Sequence, residues 1–165
     1  MGRVRERRVP QRYQLTHTGL SPPPCRFPKK FGFGGVLDTN PPANPAFADF
    51  NHVILWYCDG YSFAGNRDAP YVYTDPSTKA NTTLYFRGKR VLDAVLDVLL
   101  TPQYGLAVAT DVLVAGGSAG GLSTYVHADH IASRLPASAT RVKAAPVSGF
   151  FLLHDDTTGT PFYPE

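Results

Sequence analysis

The residues best suited to chemistry in this sequence are five consecutive small ones, Gly116-Gly117-Ser118-Ala119-Gly120, which match the pattern G-x-S-x-G. Between a buried strand and a helix, this pattern forms a tight turn that holds a serine hydroxyl above the sheet edge. Gly116 and Gly120 leave room for the crowded backbone, and the amide of Ala119 can donate a hydrogen bond to an oxyanion. The pattern predicts Ser118 as a nucleophile, with a structural or anion-binding turn as the alternative.

A serine nucleophile needs a base, which is usually a histidine oriented by an acid. His127 and His130 cannot serve, because His127 already lies roughly 13 Å from Ser118 along the predicted helix, at about 1.5 Å per residue. His17 lies in irregular chain and His52 opens a predicted strand. This leaves His154 as the candidate base, since it could lie near the carboxyl edge of the sheet beside Asp155 and Asp156. The usual order in this arrangement is serine, acid and then histidine, and no histidine follows Asp155. The acid and the base therefore stay open.

Short apolar runs and two longer periodic stretches must position this turn. The runs predict three strands, at His52–Tyr57, Asp111–Ala115 and Arg141–Ala145. Apolar positions at helical spacing predict an amphipathic helix over 84–100, and Ala119–Leu135 predicts a second helix. The order β-α-β-α-β predicts an α/β fold with a parallel sheet and crossover helices.

The chain divides into an irregular segment over 1–50 and a predicted α/β domain over 51–165. The first segment is rich in Pro, Gly and Arg, which favours irregular chain. Cys58–Thr83 is a long connection without clear periodicity, and such connections are often functional. Asn81-Thr82-Thr83, which overlaps its end, matches the N-glycosylation pattern, but such triplets also arise by chance in surface loops, so both interpretations stay open.

Composition and charge argue against several classes of protein. Hydrophobic residues make up 43% and charged residues 18% of the 165, which excludes disorder over most of the length. No apolar run approaches the roughly 18 residues of a membrane-spanning helix, and the start of the chain carries no export signal. The first eight residues account for the net charge of +3, so no nucleic-acid partner is expected. Cys25 and Cys58 fit no metal-binding pattern, and no cofactor is implied.

Four segments of the sequence stand in the order of a known set of signatures. They are Asn51–Gly60 with Ser62-Phe63-Ala64-Gly65 after it, Leu84–Gly88, Ser118–Leu122 and Ser148–Leu152. Together they resemble the pectin acetylesterase and Notum family over residues 30 to 155. The resemblance implies an α/β-hydrolase-like sheet and removal of ester-linked acyl groups by a serine nucleophile at the position of Ser118.

The resemblance also implies a substrate and a location. It points to carboxylic-ester hydrolysis, above all deacetylation of pectin or a related polysaccharide, by a secreted or cell-wall protein. Asp59, Gly60 and Ser62 would lie in the pocket near the nucleophile, although a plain turn explains Asp59-Gly60 equally well. The expected partner is an acetylated polysaccharide or another acyl ester, with no metal ion, nucleic acid or membrane span.

The sequence departs from the family pattern in several places. It contains no Gly-Gly-Gly-Trp run to supply oxyanion donors, and Val147 stands where the family usually has an aspartate. The family's acid and histidine fall beyond Glu165. We therefore expect a partial α/β-hydrolase-like domain whose own activity is open. The alternative is a truncated, catalytically inactive remnant that binds a glycan or an acyl group.

Overall fold

The computed structural model of the chain describes residues 32–56, 60–136, 141–152 and 154–160. The chain forms two compact units, and residues 32–56 belong to the first while the described residues from Gly60 onward belong to the second. Each unit is described by itself below. No helix within these ranges is long and apolar enough to cross a membrane.

Residues 32–56 form turns around one buried asparagine. Asn44 donates from Nδ2 to the carbonyl oxygens of Val36 at 3.2 Å and Asp38 at 2.9 Å. Its Oδ1 accepts the amide of Phe47 at 3.3 Å. The buried side chain therefore satisfies backbone groups that regular secondary structure would otherwise pair.

The strand predicted at His52–Tyr57 is wrong for its described residues, 52–56, which carry no strand assignment. Tyr57 lies outside the described residues. An apolar, β-branched run favours a strand, but a strand forms only where a neighbouring strand supplies the ladder of hydrogen bonds. In the described part of the chain no strand takes that place beside residues 52–56.

The second unit opens with a β-hairpin that the sequence did not predict. Strands β1 (Tyr71–Thr74) and β2 (Asn81–Leu84) pair antiparallel. In the loop between them, Asp75 Oδ1 accepts the amides of Ser77 at 2.7 Å and Thr78 at 2.9 Å. These bonds, from Thr78 first and Ser77 next, hold the pKa of the Asp75 carboxyl below its usual value. The strands are four residues each, too short for periodicity to mark them.

Helix α1 spans Gly88–Leu99 and buries Gly88, Leu92 and Leu96. The predicted helix over 84–100 is thus confirmed in type and in its C-terminal part. It begins later than predicted because Asn81–Leu84 is paired in β2. Leu92 and Leu96 lie four residues apart on one face, and with Phe63 and Leu84 they are the most deeply buried apolar side chains among the described residues.

One parallel β-α-β unit positions the predicted turn. Strand β3 (Asp111–Gly117) pairs with β4 (Arg141–Val147), and α2 (Ala119–Arg134) connects them and packs on both. The register runs from Asp111 opposite Arg141 to Gly117 opposite Val147. The predicted strands and helix are confirmed here with small shifts at their ends, as is the α/β class.

An ion-pair cluster joins α1 to α2. Asp93 lies 2.7 Å from Lys89 Nζ, 2.6 Å from His130 Nε2 and 3.3 Å from Arg134 Nη1. Arg134 also reaches Asp97 at 2.5 Å. Lys89, and after it His130, hold the pKa of the Asp93 carboxyl below its usual value. Polar pairs as well as apolar contacts therefore connect the two helices.

Candidate active site

Ser118 lies on the tight turn that joins β3 to α2. Its backbone has φ 53° and ψ −117°, a conformation that residues with side chains rarely adopt. Its amide donates to the carbonyl of Val147 at 2.9 Å, and its carbonyl accepts the amide of Leu122 at 3.0 Å. Such a conformation costs on the order of 1–3 kcal/mol and persists where the surrounding structure enforces it, often at functional sites.

The hydroxyl of Ser118 does not cap the helix. A serine at this position usually accepts a hydrogen bond from an amide in the first helical turn. Ser118 is exposed and makes no side-chain capping bond. The amide of Ala119, the first of α2, has no acceptor within the helix, and the helix dipole adds partial positive charge at this end. An exposed hydroxyl therefore adjoins an amide suited to stabilise an oxyanion.

Close backbone approaches around the turn exclude side chains at three glycines. A Cβ on Gly116 would lie 2.2 Å from the carbonyl oxygen of Gly120, and one on Gly121 would lie 2.6 Å from that of Val147. A Cβ on Gly149 would lie 2.2 Å from the carbonyl carbon of Gly121. At the other two glycines of the pentapeptide a Cβ would meet nothing within 4 Å: Gly117 and Gly120. The crowding therefore falls on Gly116, against which the backbone of Gly120 lies, and a side chain at Gly120 itself would meet no neighbour.

The end of β4 fixes the turn at Ser118 through backbone atoms. Gly117 and Val147 form the last pair of the sheet, so Ser118 and Ser148 both follow directly after paired strand ends. Ser148 also has a positive φ, of 50°. Val147 is 59% exposed, and its carbonyl accepts a hydrogen bond from the Ser118 amide. Sequence reasoning missed this role because a backbone contact leaves no mark on residue type.

Among the predicted pocket residues, Ser62 lies beside the start of α2. Its Oγ donates to the carbonyl of Ala119 at 3.1 Å. The His127 ring, only 4% exposed, donates from Nε2 to the carbonyl of Ser62 at 2.9 Å. Gly60 is exposed, and Asp59 lies outside the described residues. Ser62 is thus brought next to Ala119, the residue that follows Ser118.

The segment around Ser62 is strained and held from two sides. Ser62 and Phe63 both have positive φ, at 48° and 56°, and both are buried. Beyond them, the carbonyl of Gly65 accepts the amide of Lys89, in the first turn of α1, at 2.9 Å. Two consecutive left-handed residues with side chains require such anchoring. Residues 60–65, which we call the clamped segment, are therefore set by both helices.

The histidines of the second unit take different positions. His127 is buried against the clamped segment and His130 lies in the ion-pair cluster, so both have structural contacts. His154 is exposed, and its Nδ1 donates to the carbonyl of Asp155 at 2.6 Å. Within the described ranges no group of three or more His, Cys, Asp or Glu could hold a metal ion. Cys25 and Cys58 lie outside these ranges.

Comparison with known proteins assigns this chain to a family. The sequence profile described as Pectinacetylesterase matches residues 14–165. The chain belongs to the pectinacetylesterase family. Pectin acetylesterase 5 of Arabidopsis thaliana is 37% identical over 82% of the chain, and pectin acetylesterase 4 of the same plant is 38% identical over 82%. The family recognised from the four sequence segments is thereby confirmed.

A solved family structure confirms the fold. The Wnt deacylase Notum from Drosophila aligns with a TM-score of 0.65 and 28% identity, covering 79% of this chain and 37% of the Notum chain. The α/β-hydrolase-like fold expected for a pectinacetylesterase is therefore present. The chain spans 29% and 31% of the lengths of the two Arabidopsis relatives.

Proposed function

We propose that this chain carries the nucleophile of a serine carboxylic-ester hydrolase and that Ser118 is that nucleophile. The observation that carries the proposal is the strained turn, which presents an exposed hydroxyl without a capping bond at the N-terminus of α2. A serine used only to cap the helix would adopt an extended backbone and bond to the first turn. The strain supports a functional role, because it has no benefit for the helix.

The reaction follows from these positions. Ser118 Oγ attacks the acyl carbon of the ester while a base takes the hydroxyl proton. The carbonyl oxygen of the ester becomes an oxyanion, which accepts a hydrogen bond from the Ala119 amide. Collapse of this intermediate expels the alcohol, which takes up the proton and leaves an acyl-serine. Water then attacks the acyl-serine and releases the carboxylic acid and free Ser118. His154 is the candidate base, and Gly116, Gly117 and Gly120 form the nucleophile turn.

Acetylated pectin or a related polysaccharide is the proposed substrate class. The two Arabidopsis relatives named pectin acetylesterases are 37% and 38% identical to this chain, whereas the Notum structure is 28% identical. The clamped segment supports a pocket beside the nucleophile, because Ser62 fixes its backbone against Ala119. Action on a wall polysaccharide places the protein outside the cell, in the secreted fraction or the cell wall.

Release of acetate tests this proposal. The chain would be assayed on acetylated pectin and on p-nitrophenyl acetate, together with Ser118→Ala. The control is Ser148→Ala, which removes a second exposed serine with positive φ after a paired strand end. We expect Ser118→Ala to abolish the turnover that the chain shows and Ser148→Ala to preserve it.

The same assay separates the alternatives. Turnover that His154→Ala also abolishes supports His154 as base, and turnover that persists in that variant assigns the base elsewhere. Equal hydrolysis by wild type and Ser118→Ala contradicts the assignment of Ser118 as the nucleophile. Binding of acetylated pectin with no turnover favours the inactive, glycan-binding remnant.

A further inference from the structure

The β1–β2 hairpin carries the one N-x-Ser/Thr triplet in the sequence, Asn81-Thr82-Thr83. Asn81 is the first residue of β2 and directly follows the loop, and both Asn81 and Thr83 are exposed. We propose that Asn81 is an N-glycosylation site whose glycan leaves the outer face of this hairpin. The proposal rests on the extracellular location proposed above, because only a translocated chain meets the glycosylation machinery.

The register of the hairpin decides the face on which Asn81 lies. Asn81 pairs with Thr74 and Thr83 pairs with Val72, so these four residues share one face, since alternate residues of a strand point the same way. All four are exposed. The opposite face carries Leu84, which is 8% exposed. The other residues of that face, Tyr71, Tyr73 and Thr82, are exposed. A glycan on Asn81 therefore leaves the hairpin on the side away from the buried Leu84.

Aromatic contacts support the same orientation. Tyr71 pairs with Leu84 on the inner face, and its ring centroid lies 6.5 Å from that of Phe86. The Phe86 ring centroid in turn lies 6.3 Å from that of Tyr61, which belongs to the clamped segment. The hairpin thus packs through its inner face, and a bulky group on the outer face displaces none of these rings.

The side-chain amide of Asn81 is already oriented. Thr74 Oγ1 donates to Asn81 Oδ1 at 2.8 Å, which places Nδ2, the atom that carries an N-linked glycan, on the other side of the amide. The Val72 side chain, diagonal to Asn81 on the same face, is 56% exposed. Diagonal neighbours lie about 7–8 Å apart, so the first sugar can cover this apolar surface.

The modification is the transfer of an oligosaccharide to the Asn81 side chain. During translocation, Asn81 Nδ2 forms a bond to the anomeric carbon of an oligosaccharide carried on a lipid diphosphate. The bond between that carbon and the diphosphate oxygen breaks, the lipid diphosphate leaves with the electron pair, and the amide proton passes to a base of the transferase.

The test uses the full chain behind a cleavable export signal in a eukaryotic cell. Translocated protein is compared by electrophoretic mobility and mass before and after peptide N-glycosidase, applied both to the folded and to the denatured protein. We expect a mobility shift equal to one glycan, fully removed in either state. Asn81→Gln and Thr83→Ala should lose the shift, and Thr82→Ala, which preserves the triplet, should keep it.

Each other outcome is decisive. An unmodified translocated wild type overturns the proposal, as does a shift that survives Thr83→Ala. A glycan that the enzyme releases only after denaturation contradicts its outward placement. Ser118→Ala should carry the same shift as wild type, so a failure of the proposed esterase activity with the shift intact leaves this inference standing.

Discussion

Two neighbouring glycines in the first turn of α2 should respond to alanine in opposite ways. Gly120 belongs to the G-x-S-x-G pattern and Gly121 does not, so the pattern alone predicts that only Gly120 resists substitution. In the structure, a Cβ on Gly121 would lie 2.6 Å from the carbonyl oxygen of Val147 and 2.7 Å from the Cα of Gly149, whereas one on Gly120 meets nothing within 4 Å. The atoms that crowd Gly121 are backbone atoms, which cannot rotate aside.

The expected magnitudes follow from these distances. Gly121→Ala must displace β4 from α2, and overpacking of this kind lowers the free energy of unfolding by about 1–3 kcal/mol. Gly120→Ala should raise it by up to about 0.5–1 kcal/mol, because alanine loses less backbone entropy in a helix. Gly121→Ala also presses on the carbonyl that accepts the Ser118 amide, so it should slow the reaction of Ser118 with an acylating probe.

Urea unfolding of both variants and wild type, followed by circular dichroism, measures the two effects. The rate at which Ser118 reacts with the probe is then measured without urea, where each variant is folded. Equal stability of the two variants would refute the claim that Gly121 and Gly149 are in backbone contact. A lower stability for Gly120→Ala than for Gly121→Ala would refute it more strongly, and would restore the interpretation based on the motif alone.

Three further predictions concern stability. His127→Leu should lower the free energy of unfolding, measured in urea, by about 1–3 kcal/mol, because the buried carbonyl of Ser62 loses its hydrogen-bond donor. His127→Gln keeps an amide donor and should lower it less. Equal losses in the two variants would contradict the assigned bond. Ser118→Gly should raise the melting temperature, since glycine adopts φ 53° without strain. Ser118→Ala should change the melting temperature little. A marked fall in either variant would favour a structural role for the Ser118 side chain. The lowered pKa of Asp93, caused first by Lys89, means that its stabilisation is present above the unfolded pKa of about 3.9 and is lost as pH falls through the folded pKa. The Asp93 side chain is 34% exposed, so solvent screening limits this contribution to below about 1 kcal/mol. Asp93→Asn should therefore reduce the fall in melting temperature at acid pH. An unchanged acid limb would contradict the stabilising role of the Asp93 carboxylate.

The sequence predicted the β3-α2-β4 unit well because its signals are local. An apolar run before Gly116 and helical spacing after Ser118 each fit one element, and the pentapeptide between them marks the turn. The contacts that fix the turn are not local. The Val147 carbonyl acts through the backbone, and the approach of Gly121 to Gly149 joins residues distant in sequence, so neither leaves a pattern to recognise.

The errors elsewhere have physical causes as well. The β1–β2 hairpin has strands of four residues, which alternation cannot separate from loop. The predicted strand at His52–Tyr57 has the right composition, but composition does not supply a pairing partner. The bond between His127 and the Ser62 carbonyl joins residues far apart in sequence, so no local pattern marks it.

Identification of the serine that reacts with a fluorophosphonate tests the central claim most directly. The folded chain would be treated with the probe, digested, and mapped by mass spectrometry alongside Ser118→Ala and Ser148→Ala. Because Ser118 combines an exposed hydroxyl with the Ala119 amide, the label should lie on Ser118, persist in Ser148→Ala and disappear in Ser118→Ala. A label on Ser148, or equal labelling of wild type and Ser118→Ala, would contradict the assignment of Ser118 as the nucleophile.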